Sequence, residues 1–102
     1  MAAGPYSERT VWAANKEDTL LQSLDDVTVA FHKTSGDTHI LNFLSTAIIN
    51  VLTEGAETFS SARPKILSKI QMSSEDCSDA IIVATFLELD DVGLISPQAG
   101  RQ

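Results

Sequence analysis

The sequence has 102 residues, 43% of them hydrophobic, with seven Lys or Arg against fourteen Asp or Glu for a formal charge of -7. That length and composition fit one globular domain with a modest core and argue against wholesale disorder. The charge, with a pI near 4.5, disfavours nucleic acid and anionic membranes unless a local basic patch overrides it.

The densest cationic group, Arg63, Lys65 and Lys69, falls at helical spacing around Pro64 and reads as a solvated face rather than such a patch. Cys77 is the single cysteine, so there is no intrachain disulfide and no cysteine cluster for zinc. With no histidine near it in sequence, a half-buried structural thiol is expected. MAAGPYSERT lacks the charged start and apolar run of a secretory signal. No stretch approaches the ~20 apolar residues of a membrane span. A soluble, cytoplasmic protein is the expectation.

Residues 1–10 read as a frayed tail of Gly, Pro, Ser and charges. Trp12 follows, just before the first strand, as a lid on the edge of the core. TLLQSL, Thr19 to Leu24, makes that strand, and Asp25 and Asp26 make a turn. VTVAFHK then alternates with period two, Val27, Val29 and Phe31 toward the core and Thr28, Ala30 and His32 away from it. After the TSGD turn, THIL (Thr38 to Leu41) is the hairpin partner.

With Ser35 and Gly36 at the loop centre, Phe31 opposes Ile40, Val29 opposes Asn42, and His32 faces His39. Centring the loop on Gly36 and Asp37 would set Ile40 against Lys33 and split the apolar face, so the first register is expected.

From Phe43 the period becomes helical. Asn42 is the N-cap, Leu44, Ala47, Ile48, Val51 and Leu52 form the buried stripe, and Gly55 is the stop. A second helix is predicted from Ala62 to Gln71, capped by Ser60 or Ser61, with Pro64 in its first turn. A third is predicted from Asp76 to Val92, ended by Gly93 before the short apolar LIS. Its core face is Ile82, Phe86 and Leu89, with Val83 and Leu87 on one flank and Ile81 and Val92 on the other. Three strands followed by three helices give an α+β domain over residues 11–97, winged-helix-like in arrangement, with a short tail at 98–102.

Ser35, Asp37 and His39 carry the residue types of a nucleophile, an orienter and a base. Catalysis would need the serine within reach of an imidazole, beside oxyanion donors. A small hairpin offers no second wall, so the stretch reads as a turn. A two-histidine metal site at His32 and His39 lacks a third ligand. No cofactor or metal is expected.

SGDTHILN, the helix stripe with Ala47, Leu52 and Gly55, and the ending Leu89 to Gly93-Leu94-Ile95 together resemble the PqqD family. The resemblance runs from Trp12 to Pro97 and is nearest to the PqqD-type peptide chaperones of systems containing a kinase related to HPr kinase. It implies a RiPP recognition element: a three-stranded sheet and three helices that bind a peptide without chemistry. The leader of a ribosomally made precursor would add as a strand beside the third strand, in a groove shared with the third helix, for presentation to a modifying enzyme or the kinase-related protein. The residues implied are Thr38, His39, Ile40 and Leu41 on the strand and Ile81, Val83, Thr85, Leu87 and Glu88 on the helix.

An edge strand is itself a template for strand addition, and the same edge permits a homodimer. A winged helix also suggests DNA binding. However, Ser73 to Pro97 contains six acids and no Lys, Arg, Asn or Gln, the residues a recognition helix needs. A plain protein-interaction module is the nearer rival.

Overall fold

The computed structural model describes residues 10–24, 27–73 and 75–98. The Asp25–Asp26 turn and most of the two expected tails lie outside the described residues. Val11–Ala14 forms β1 and Lys16–Asp18 a single 3-10 turn. Thr19–Leu24 (β2), Val27–His32 (β3) and Thr38–Leu41 (β4) follow, then helix α1 (Phe43–Glu54). A two-residue strand, Glu57–Thr58 (β5), leads into helix α2 (Phe59–Ile70), and helix α3 (Asp79–Asp91) is followed by Ile95–Pro97 (β6).

The chain is thus α+β, with the expected three-stranded antiparallel sheet, in order β2-β3-β4, and three helices. The likeness to a winged helix is loose, because a second small sheet, β5-β1-β6, ties the two ends of the domain together. The N–H of Gln98 extends that sheet to the carbonyl of Val11 at 2.7 Å. Among the described residues, no helix is long and apolar enough to cross a membrane.

Local chemistry sets the helix ends. Asn42 accepts the N–H of Ser45 at 2.8 Å, so α1 starts where the cap dictates. α2 begins earlier than expected, because Thr58 rather than Ser60 or Ser61 is the cap and accepts the Ser61 N–H at 3.2 Å. Pro64 therefore sits in the second turn, not the first, and leaves the carbonyl of exposed Ser60 without its helical donor. α3 begins at Asp79, not Asp76, because Ser78 caps it through the N–H of Ile81. Asp76 instead closes the preceding turn onto the Ser73 hydroxyl at 3.1 Å. Gly93, at φ 86°, ends α3, and the N–H of Leu94 returns to the carbonyl of Leu89 at 3.0 Å.

The core is built on α1. Ile48, Ile49, Val51 and Leu52 meet Ala62, Ile66 and Leu67 of α2 and Ile82, Phe86 and Leu89 of α3, with Leu94 and Ile95 closing one end. Trp12 belongs inside this core rather than on its edge: it lies in β1, 4% exposed, edge-to-face with Phe86 at 5.5 Å between centroids. Cys77 is likewise buried rather than half-buried.

The hairpin departs from expectation in two ways. Ala30 opposes His39, Val29 opposes Ile40 and Phe31 opposes Thr38, so Phe31 does not face Ile40, nor His32 His39. The loop is longer than two residues: His32 accepts from the N–H of Gly36 and donates to the carbonyl of Asp37, each at 2.8 Å. Gly36, at φ 79°, takes the left-handed position at the end of the loop, not its centre. The slip is two residues, so face partners are preserved, but the buried face is the other one. Ala30 is fully buried under α1, whereas Phe31 is 38% exposed on the outside. A methyl lets the helix approach closely where a phenyl ring would hold it off.

Candidate functional site

The open edge of β4 follows from the hydrogen-bond alternation of an antiparallel ladder. His32 donates to Asp37 at 2.8 Å, so the hydrogen-bonded pairs of this register are Ala30 with His39 and Thr28 with Leu41. The backbone groups of His39 and Leu41 are spent on β3. Those of Thr38 and Ile40 point outward, where the sheet order ends.

Beside this edge lies a cleft of about 330 Å³ between β4 and α3. His39, Ile40 and Leu41 line one wall, and Glu88, Leu89, Asp91 and Val92 the other, with Ser45 and Leu94 between them. Leu41, Leu89 and Leu94 are buried core residues that give it an apolar floor, while Glu88 and Asp91 make the α3 wall acidic. Nε2 of His39 is shielded from solvent and has no hydrogen-bond partner among the described residues.

Of the residues implied by the resemblance, His39, Ile40, Leu41 and Glu88 come together at this cleft. Thr38 continues the edge beyond it. Ile81 and Thr85 share the helical stripe of Glu88 and Val92, with Ile81 53% exposed and Thr85 buried, its hydroxyl donating to the carbonyl of Ile81 at 2.9 Å. Val83 and Leu87 are exposed on the opposite flank and do not line the cleft. Ser45, Leu89 and Leu94 were not expected there. The helical period places Asp91 and Val92 near the Glu88 stripe, but nothing in the sequence brings the first turn of α1 to the same place.

The polar hairpin residues assemble differently from the expected constellation. Nε2 of His32 lies 3.2 Å from the Asp18 carboxylate, and Nδ1 lies 2.9 Å from Oγ of Ser35. Thr34 donates to the same carboxylate at 2.6 Å, and Ser35 Oγ accepts the Asp37 N–H at 3.2 Å. His39 takes no part, because it stands opposite Ala30. The order acid, imidazole, hydroxyl is that of a nucleophile relay, yet the Asp18 contacts tie the β3–β4 loop to the turn before β2 and the Ser35 contacts close the loop on itself. Among the described residues no group of three or more His, Cys, Asp or Glu is placed to hold a metal ion.

The basic face around Pro64 is neutralised. Arg63 pairs with Asp79, Lys65 with Glu57, and Lys69 with Glu54 at 3.4 Å. Hydrogen bonds from Lys65 and then Ser61 hold the Glu57 carboxyl below the ordinary carboxylate range. A larger cleft of about 520 Å³ lies at the other end of β4, between α1 and α2. Asn42, Thr46, Asn50, Lys69 and Gln71 give it a polar wall. Comparison with family models, with curated proteins and with solved structures returned no match.

Proposed function

We propose that this protein is a non-catalytic peptide-binding chaperone of the PqqD type. It captures the leader of a ribosomally made precursor by strand addition at β4 and presents it to a modifying enzyme in the cytoplasm. The observation that carries this reading is the open edge of β4 facing a cleft whose other wall is α3. A bound strand pairs with the backbone of Thr38 and Ile40, and alternate side chains enter the cleft over Leu41, Leu89 and Leu94. Glu88 and Asp91 favour a leader with basic residues there.

Proline separates the two sides of the strand. Ile40→Pro removes an outward N–H, a change tolerated on an edge, whereas His39→Pro removes a donor that the register commits to Ala30. With the leader of a short precursor encoded beside this reading frame, Ile40→Pro should keep the wild-type fold and bind at least about tenfold more weakly, the loss of roughly one backbone hydrogen bond. Amide shifts in the unmodified chain should concentrate in residues 38–41 and 88–92. Unchanged affinity in Ile40→Pro, or shifts centred on the polar cleft near Lys69 to Gln71, would rule the strand-addition reading out.

A further inference from the structure

The face of the β2-β3-β4 sheet turned away from α1 is built from Leu20, Gln22, Leu24, Val27, Val29, Phe31, Thr38 and Ile40. Six of these eight are apolar and none is charged. An antiparallel sheet with one solvated face normally alternates apolar-in with polar-out, and here the outward face is the more apolar of the two. Leu20 is 56% exposed, Leu24 49%, Val27 41%, Phe31 38% and Ile40 75%. These fractions leave roughly 500 Å² of contiguous apolar side chain in water, near the top of what a monomer of this kind shows.

We propose that this face is the interface of a homodimer, in which two copies stack sheet against sheet. Charge points to this face as the one a second copy can use. Each chain carries -7 overall, so two copies repel wherever their acidic surfaces meet. Among the described residues this sheet face carries no carboxylate, so the two copies can close along it without opposing or desolvating one there. Shape agrees, because two identically twisted sheets pack face to face about 10 Å apart at a small angle. Roughly 500 Å² from each chain, plus the rim of Gln22 and Thr38, reaches the lower end of specific interfaces, which corresponds to a reversible dimer rather than an obligate one. The β4–α3 cleft opens toward the other side of the sheet, so the dimer and the proposed peptide strand meet only along the β4 edge, where Thr38 and Ile40 border both.

Sedimentation equilibrium of the full chain from about 1 to about 300 μM tests this, a range that brackets a micromolar dissociation constant. The mean mass should rise from 11.0 kDa toward twice that value, and added salt should strengthen the dimer by screening the net charge. Leu20→Lys should weaken association at least tenfold. Leu24→Lys, near the end of its strand, repeats the test should Leu20→Lys fail to fold. Leu87→Lys, an exposed apolar residue on α3, should leave the mass unchanged. A wild-type chain that stays at 11.0 kDa throughout overturns the proposal. So does a dimer indifferent to both sheet-face variants, which would place the contact at the β4 edge. Peptide titration of monomeric Leu20→Lys reads the strand-addition model separately, because that residue is remote from the cleft.

Discussion

The two faces of the β2-β3-β4 sheet differ in size and in hydropathy, and in both the outward face exceeds the one that α1 covers. Inward, β3 offers Thr28, Ala30 and His32, and Ala30 is fully buried beneath α1. Outward, it offers Val27, Val29 and Phe31, bulkier and more apolar, yet two of them are at least 38% exposed. Burial is therefore decided by how closely the helix must approach, with hydropathy second. A period-two pattern sorts residues into two sets but does not say which set the helix covers.

The largest effect expected from this contrast is at the inner face. Ala30→Leu forces a branched side chain into a fully buried site and should cost about 3 kcal/mol. Phe31→Ala, the larger deletion by volume, should cost only about 1 kcal/mol in dilute monomer, since much of the ring already lies in water. Urea denaturation of both variants measures the difference. Were Phe31→Ala the costlier of the two, the face assignment would be reversed.

A middling effect is expected where the inner face meets the end of α3. Gly93 has φ 86°, and a Cβ there would meet Nε2 of His32 at 3.1 Å and Cε1 at 3.4 Å. His32 is held in that position by Asp18 on one nitrogen and Ser35 on the other. Gly93→Ala should therefore cost about 2 kcal/mol, part from the left-handed backbone and part from displacing the imidazole. In a His32→Ala background the second part vanishes, and the same substitution should cost about 1 kcal/mol. Equal costs in both backgrounds would show that the ring yields freely.

Much of the fold is legible in the sequence, and the failures share a cause. Asn42 and Gly55 bound α1 where their chemistry predicts, and Ile82, Phe86 and Leu89 form the buried face of α3. Those signals act within one or two turns of helix. β1, β5 and β6 escape a local reading because each has at most four residues and exists only through pairing across the whole domain. The hairpin register fails for a related reason. Gly36 marks a turn, but a glycine with positive φ serves the centre of a two-residue loop and the end of a longer one equally well.

The candidate site divides along the same line. The edge and the Glu88 stripe follow from order and periodicity, while Ser45 and Leu94 join the cleft only through packing. The basic stretch around Pro64 is the instructive converse, since its reading as a solvated face overlooked that each cation has an acid from elsewhere in the chain.

That basic stretch supplies the smallest effect. The Glu57 carboxyl is held below the ordinary value of 4.5 by hydrogen bonds from Lys65 and Ser61. A carboxyl whose folded-state value is depressed contributes stability above its unfolded value, and the contribution fades as pH falls through the folded one. The pair therefore adds to stability at neutral pH and loses that share below about pH 4.5. Lys65→Met removes the first of the two donors, so Glu57 should titrate closer to its ordinary value. The variant should be slightly less stable than wild type at pH 7, with the two curves converging as pH falls below 4.5. The effect is small, because the lysine side chain is 56% exposed and solvent screens the pair. Site-resolved carboxyl titration by NMR detects it more surely than denaturation, with the Glu57 midpoint rising in Lys65→Met. A Glu57 midpoint unmoved by the substitution would mean that Ser61 alone holds the charge.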